Sequence, residues 1–238
     1  MGVLDAAALR GRLNGVRDRI ARAADRSGRD PASVRLIAVS KTFPIEFIRA
    51  AADSGQTEFG ENKVQEGLGK IQQTLSLLSL RWHLIGHLQH NKARKAATAF
   101  HIIHSIDSAS LLQKVDEAAA AAGRPVEVLI QVDLAREPTK HGAPADAVPA
   151  IVELAASCRA VRLTGLMTLP PAADDPADAR PHFAALRDLR DRLVAGGAEP
   201  LMLAELSMGM SHDFEVAVEE GATMVRVGSA IFGDRGAM

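Results

Sequence analysis

A single lysine follows the first strongly apolar run of the chain. Residues 34–40 read VRLIAVS, and Lys41 comes directly after them. A lysine at the end of a buried strand has its stem among apolar side chains, where desolvation favours the neutral, nucleophilic amine. Such an amine can form a Schiff base with a carbonyl compound. A surface lysine that extends its ammonium group into water is the alternative, and position alone does not decide between them.

Two segments near the end of the chain have the composition of a phosphate site. Ser211 lies where a helix is predicted to begin, and Gly228 and Ser229 follow the last predicted strand. Loops at such positions present backbone N–H groups that bind phosphate. Ser211 could instead be an N-cap only. Asp213 and Glu215, which come next, would repel a phosphate unless they face away from it.

Two further polar residues lie at or near strand ends. Arg226 lies within VRVG, an otherwise apolar strand, where a buried guanidinium needs a partner. That partner could be an acid such as Glu205, or an acceptor on a bound ring. Asn62 could donate its amide to a ligand hydroxyl or cap the helix that follows.

The histidines and the cysteine have structural interpretations that involve no chemistry. His83 is on a predicted strand and His87 and His90 are in a turn, with no acidic ligand beside them, so we predict no metal site. The basic run that includes Lys92 is interpreted as a solvated helix face, at which an anion could dock. Cys158 is predicted to fill the core rather than act as a nucleophile.

An alternation of strands and helices must position these residues. Apolar runs at 34–40, 57–60, 81–85, 101–106, 126–132, 162–167, 201–206 and 224–227 predict eight strands. Helical patterns occupy 44–53, 62–78, 91–99, 109–122, 145–157, 177–195 and 212–220, after an opening helix that begins at Asp5. Eight such units favour one α/β domain over residues 1–238, a (β/α)8 TIM-type barrel with a helical extension over residues 1–30. The candidate residues then cluster at the carboxyl ends of the strands, where barrel enzymes have their active sites.

Composition excludes several classes of function. The 238 residues carry a formal net charge of -1, which argues against a nucleic-acid or membrane-surface footprint. The single cysteine excludes a disulfide framework and favours the reducing cytoplasm. The charged N-terminus has no apolar signal core, and no run approaches the roughly 18 apolar residues of a membrane span.

Five segments resemble the pyridoxal phosphate homeostasis protein family, whose barrel is related to the N-terminal domain of alanine racemase. They are AVSKTFPIEFIRAAADSGQTEFGENKVQE (38–66), RWHLIGHLQHNK (81–92), LIQVDLAREPTKHG (129–142), LTGLMTLPP (163–171) and SMGMSHDFEVAVEEGATMVRVGSAIFG (207–233). The resemblance covers nearly the whole chain from residue 34 onward. Asp133 and His90 depart from the family's common Asn and Ser, but neither is assigned to the cofactor.

The resemblance implies a cofactor, pyridoxal 5'-phosphate (PLP), and a role for each site residue. Lys41 would form the Schiff base, Asn62 would lie beside the ring and Arg226 would face the pyridine nitrogen. The phosphate would be held by Ser211, Gly228 and Ser229, with Met167 and Met210 packed near the cofactor. The implied function is intracellular PLP homeostasis, by buffering the cofactor or delivering it to apo-enzymes, in a cytoplasmic protein that we expect to be a monomer.

A PLP-dependent enzyme, such as a weak amino-acid racemase, is the alternative function, and a cofactor-free Schiff-base aldolase is a third. An arginine at the ring nitrogen leaves that nitrogen unprotonated and weakens the ring as an electron sink. Racemisation also needs an acid/base on each face of the α-carbon. Related racemases bring a second-domain tyrosine, whereas this chain contains no tyrosine and is expected to have no second domain. A histidine such as His83 could substitute.

Overall fold

The chain forms a closed parallel barrel, in a computed structural model that describes residues 4–135 and 141–233. The strands are β1 (Arg35–Val39), β2 (Glu58–Glu61), β3 (Arg81–Leu84), β4 (Ile102–Ile106), β5 (Val126–Asp133), β6 (Ala143–Pro144), β7 (Val161–Met167), β8 (Glu205–Ser207) and β9 (Met224–Val227). Their order is β4-β3-β2-β1-β9-β8-β7-β5, and pairing of β4 with β5 closes the ring. The short β6 pairs only at the end of β5. The predicted (β/α)8 barrel is confirmed.

The helices surround the barrel. They are α1 (Ala6–Arg26), α2 (Ile45–Asp53), α3 (Val64–Gln73), α4 (Ala93–Ala99), α5 (Ala109–Ala122), α6 (Val148–Ala156), α7 (Arg180–Ala195), α8 (Phe214–Glu219) and α9 (Ser229–Phe232). The main apolar core fills the layer between these helices and the strands. Within residues 4–135 and 141–233, no helix has both the length and the apolar content needed to cross a bilayer.

A second, smaller apolar cluster lies inside the barrel. Ile37, Ile102, Leu129, Met167 and Met224 are fully buried and come from five different strands. Side chains from strands that are not neighbours can meet only in the interior of a closed barrel. The interior is therefore packed with apolar side chains at the level of this cluster.

The N-terminal helix forms as its sequence predicts. The Asp5 carboxylate accepts a hydrogen bond from the Ala8 N–H at 2.9 Å, which caps α1. Its apolar residues at helical spacing, Leu9, Leu13, Val16 and Ile20, are buried against the barrel layer. The first three residues of the predicted extension, the centre of the 129–142 motif and the last five residues of the chain lie outside the described residues.

One error in the predicted elements concerns the seventh barrel strand. Residues 200–203 form a 3-10 turn, and the strand is Glu205–Ser207. Pro200 starts that turn because proline has no N–H to contribute to a ladder, while Leu201 is 77% exposed and does not belong to the core. Helix α3 also ends five residues early, where the Thr74 hydroxyl bonds the carbonyls of Lys70 and Ile71.

Candidate functional site

The predicted site residues converge on one cavity at the carboxyl end of the barrel, called here the mouth cavity. Its volume is about 350 Å³, within the range of small-molecule sites. Seven predicted residues line it: Lys41, Asn62, Met210, Ser211, Arg226, Gly228 and Ser229. Sequence reasoning missed Val39, Ile85, Leu169 and His212. Val39 ends β1 and Ile85 directly follows β3, whereas Leu169 and His212 lie in the loops after β7 and β8. Their positions after strands were the only feature of the sequence that could have indicated a role in the site.

Met167 is not among the lining residues. It is fully buried in the interior cluster, against which the cavity residue Leu169 packs. The structure therefore places Met167 beneath the cavity floor, and its direct contact with a cofactor stays a prediction.

The capping alternatives are wrong for both residues to which they applied. The N-cap of α3 is Lys63, so Asn62 lies outside the helix. The N-cap of α8 is Asp213, two residues beyond Ser211. Gly86 lets the loop after β3 come against Asn62, because a Cβ at Gly86 would overlap the Asn62 carbonyl. Asn62 and Ser211 thus lie in loops that face the cavity.

The turn that carries Lys41 is held by a buried polar network, called here the Lys70 bracket. The Lys70 ammonium donates to the Ser40 carbonyl at 2.7 Å, to Glu61 at 2.8 Å and to Glu66 at 2.7 Å. Glu66 also accepts the Thr42 N–H at 2.5 Å. Both residues that flank Lys41 in sequence are therefore tied to α3.

The pKa values of the two carboxyl groups in the bracket are shifted in opposite directions. Burial raises the pKa of Glu61, although Lys70 and the Ser40 hydroxyl bond to it. Burial also acts to raise the pKa of Glu66, but the bonds from Lys70 and the Thr42 N–H outweigh it and the pKa falls. Thr42 has a φ of 70°, a left-handed conformation that is strained for a β-branched residue. The network therefore stabilises a backbone shape that the sequence does not favour locally.

The two loops predicted to bind phosphate contact each other. The Ser211 hydroxyl oxygen accepts the Gly228 N–H at 3.1 Å and the Ala230 N–H at 3.5 Å. The Asp213 carboxylate turns back to accept the Met210 N–H at 2.6 Å. Glu215 pairs with Arg19 of α1 at 2.9 Å. Neither acid lines the cavity, so the repulsion that their positions in sequence suggested does not arise.

Arg226 is 3% exposed and contributes to the cavity wall from β9. Its guanidinium donates to the Ser207 hydroxyl at 2.5 Å and to the Thr168 carbonyl at 2.9 Å. Of the two partners considered for Arg226, Glu205 pairs instead with Arg35 at 2.7 Å. Burial lowers the pKa of Arg226 to about 10, with Asp213 opposing the change, so the group is cationic at neutral pH.

The three histidines considered as metal ligands lie apart. His83 is fully buried in the barrel, and His90 contacts Ser110 on the outer surface. Only His87 joins a group of candidate ligands, with Asp107 and His141. The imidazole rings of His87 and His141 stack, with centroids 3.6 Å apart. The expectation that no acidic ligand lies beside these histidines is wrong for His87, because the Asp107 carboxylate lies 3.4 Å from its Nδ1.

Cys158 lies outside the mouth cavity. It is partly buried, and burial raises the pKa of its thiol to about 11. Because the thiolate is the nucleophile, this environment agrees with the predicted structural role.

Comparison with known proteins places this geometry in a class. The family model described as alanine racemase, N-terminal domain, matches residues 12–236. The chain therefore belongs to that class of barrel. An alanine racemase from Streptomyces lavendulae superimposes with a TM-score of 0.74, over 97% of this chain and 58% of that one. At 23% identity, this likeness shows the fold alone.

Closer relatives define the particular family. Pyridoxal phosphate homeostasis proteins from Aquifex aeolicus and Escherichia coli K12 are 42% and 40% identical, over 94% and 92% of this chain and 97% and 94% of their own lengths. The chain belongs to the pyridoxal phosphate homeostasis protein family. The structure of PipY from Synechococcus elongatus with PLP bound is 41% identical, with a TM-score of 0.80, over 90% of this chain and all of that one.

Proposed function

We propose that this chain binds PLP in the mouth cavity and serves PLP homeostasis, with residues 1–238 acting as one barrel domain. The observation that carries the proposal is the convergence of Lys41, Ser211, Arg226 and Gly228 on one cavity. The donor set fits the group: an amine for the aldehyde, a guanidinium for the ring nitrogen, and hydroxyls and backbone N–H groups for the phosphate. Among the described residues, no carboxylate lines the cavity to oppose an anion.

Each residue has a defined task in this proposal. The Lys41 amine adds to the aldehyde carbon, water leaves, and a Schiff base attaches the cofactor. The Ser211 and Ser229 hydroxyls hold the phosphate beside the Gly228 loop, whose N–H donates to the Ser211 oxygen and so orients that hydroxyl, and Asn62 lies beside the ring. Arg226 donates a hydrogen bond to the ring nitrogen and keeps its proton, since a guanidinium stays charged. When bound, PLP supplies an electrophilic carbon and an electron-withdrawing ring.

Retention and delivery of the cofactor are better supported than turnover. The cationic Arg226 keeps the ring nitrogen unprotonated, which weakens electron withdrawal. The sequence contains no tyrosine to act on the second face of a substrate. His83, the substitute considered from sequence, bonds Glu58 and His104 inside the barrel and does not line the cavity. We propose a monomer that acts in the cytoplasm and passes PLP to apo-enzymes.

Spectroscopy of a lysine variant tests the binding. Purified protein with PLP is expected to show the visible absorption band of a Schiff base, and Lys41→Ala to abolish it. Lys63→Ala, at an exposed lysine nearby, is the matched control and should retain the band. An unchanged spectrum in the Lys41 variant would contradict the assignment. Transfer of PLP from the loaded protein to an apo-enzyme, followed by the recovery of that enzyme's activity, tests delivery.

A weak racemase is the second candidate, and His212 favours it. This exposed residue lines the cavity, and its Nε2 lies 3.0 Å from the Asp174 carbonyl. If Nε2 carries the proton, Nδ1 is left able to accept one. Incubation with single amino-acid enantiomers measures this activity, with His212→Gln as the variant. Turnover of about one per second or faster, lost in the variant, would replace the homeostasis role with an enzyme.

A further inference from the structure

A chain of hydrogen bonds, called here the interior relay, crosses the barrel behind the mouth cavity. Arg226 donates to the Ser207 hydroxyl, whose oxygen lies 2.9 Å from His104 Nδ1. His104 Nε2 lies 2.9 Å from His83 Nδ1, and His83 Nε2 bonds the Glu58 carboxylate. Because β4 and β8 are not neighbours in the barrel, the bond between His104 and Ser207 passes through its interior.

The relay has only one direction of donation if Glu58 is ionised and both rings are neutral. The Glu58 carboxylate can only accept, so His83 carries its proton on Nε2 and donates to it. His83 Nδ1 is then an acceptor, so His104 carries its proton on Nε2 and donates to His83. His104 Nδ1 in turn accepts from the Ser207 hydroxyl, whose oxygen accepts from Arg226. The anion at the far end therefore fixes both tautomers.

The charges of the relay agree with that direction. Burial lowers the pKa of His83 and lowers that of His104 further, so both rings are neutral. Burial acts to raise the pKa of Glu58, but the bond from His83 and the charges of Arg81 and Arg35 outweigh it, so the pKa falls and the carboxylate is ionised. The histidines are fully buried, so water does not compete for their ring nitrogens.

We propose that the interior relay positions Arg226 towards the ring of the bound cofactor, and that Glu58, His83 and His104 are its positioning residues. The inference rests on the proposed function, because it assigns these residues a role at the PLP ring. The Ser207 hydroxyl accepts from one terminal nitrogen of the guanidinium and the Thr168 carbonyl accepts from the other, and the N–H groups outside these two bonds are left for the cavity. Glu58, at the opposite end of the barrel, thereby acts on the cofactor site without touching it.

The tautomers are tested in the protein without PLP. Long-range 1H–15N correlation spectra of histidine-labelled protein should show both rings neutral, with the proton on Nε2. His104→Gln and His83→Gln assign the two sets of signals. A cationic ring, or a proton on His104 Nδ1, would overturn the relay whether or not the chain binds PLP.

Two buried serines provide a matched test of the connection to Arg226. Ser207 and Ser105 are both fully buried, but the Ser105 hydroxyl has no hydrogen-bond partner in the described part of the chain. Ser207→Ala is expected to weaken PLP binding about tenfold, as for the loss of a hydrogen bond to a charged group. Ser105→Ala should leave the dissociation constant within about twofold of wild type. Equal effects of the two variants would refute the positioning role.

Substitutions of two acids at the far end of the barrel test whether the relay carries the effect of Glu58 to the cofactor site. Glu58→Gln removes the charge that receives the His83 proton, whereas Glu127→Gln removes an acid that pairs with Arg81 at 3.1 Å instead. Only the Glu58 variant should shift the ring-nitrogen resonances of His104 and the absorption maximum of bound PLP. If both variants leave these signals unchanged while Lys41→Ala still abolishes the band, the relay fails and the proposed function survives. If wild-type protein shows no band at all, the proposed function fails.

Discussion

At the scale of single residues, Lys41 owes its position to side chains that lie elsewhere in the sequence. The Lys70 ammonium holds the carbonyl before Lys41, and Glu66 holds the N–H after it. Glu61 is fully buried and depends on Lys70 for its counter-charge. The bracket therefore has two effects: it stabilises the fold and it positions the Lys41 amine. Substitutions can separate these two effects.

Lys70→Met is expected to destabilise the protein by about 3–5 kcal/mol, because it leaves the buried Glu61 charge uncompensated. The double variant Lys70→Met/Glu61→Gln should recover most of that loss, since a neutral pair replaces an ion pair. It should not recover the affinity for PLP, because the anchor of the Ser40 carbonyl is still missing. Denaturant unfolding and PLP titration measure the two effects, with Lys63→Met as control. Full recovery of PLP affinity in the double variant would show that the bracket acts on stability alone.

The residues that sequence could and could not predict differ in one physical respect. Lys41, Arg226 and Gly228 were predictable because polar or glycine residues at the ends of apolar strands must face the mouth of a barrel. Glu61 and Lys70 were not, because each alone reads as an ordinary strand-end acid or helix lysine. They form a buried ion pair only when folding brings the two side chains together and excludes water. The relay histidines were likewise not predictable: His83 was considered only as a metal ligand or a substitute acid/base, and His104 was not singled out.

At the scale of elements, α1 acts on the cavity through α9. The Arg12 guanidinium donates to the Ile231 carbonyl at 2.7 Å, near the end of α9. Phe232 of α9 packs on Phe43, with ring centroids 5.1 Å apart, two residues beyond Lys41. The helix that the sequence suggested to be an added extension is thus connected to the turn that carries Lys41.

We expect Arg12→Met to lower the free energy of unfolding by about 1.5 kcal/mol, the contribution of a hydrogen bond from a charged donor. Its affinity for PLP should fall several-fold, because α9 loses its anchor. Arg10→Met, on the same helix, removes only a 3.4 Å exposed bond to Ser54 and should leave both quantities unchanged. Chemical denaturation and PLP titration measure them. Identical PLP affinities in the two variants would show that α1 does not influence the cavity.

Element boundaries were predictable where capping chemistry is explicit in the sequence. Asp5 started α1 as predicted, because its carboxylate has a defined N–H to accept. The seventh barrel strand was misplaced because LMLAEL is apolar enough to resemble a buried strand. Only the exposure of Leu201 in the folded chain shows that the first part of that run belongs to a turn. Hydrophobicity alone does not distinguish the two.

At the scale of the whole molecule, ion pairs of α8 join the first helix to the seventh. Glu219 contacts Arg180 of α7 at 2.6 Å and Arg26 of α1 at 2.8 Å. Glu220 adds contacts to Arg180 at 2.7 Å and to Arg187 at 2.6 Å. The helices α1, α7 and α8 are therefore connected by charge as well as by packing.

These pairs predict how stability depends on acid. The bond from Arg180 lowers the pKa of Glu219 from its ordinary value of 4.5, so its stabilising effect is fully present above that pH and is lost as pH falls through the lowered pKa. The pKa of Glu61 is raised instead, so the stabilising effect of Glu61 is present below pH 4.5 and is lost as pH rises through that raised pKa. Unfolding free energies measured by denaturant across the acid range should therefore decline below pH 4.5, and less steeply in Glu219→Gln. Glu199→Gln, at an exposed acid, is the control and should follow wild type. A Glu219 variant with the wild-type acid slope would show that the connection between α1 and α7 depends on packing alone.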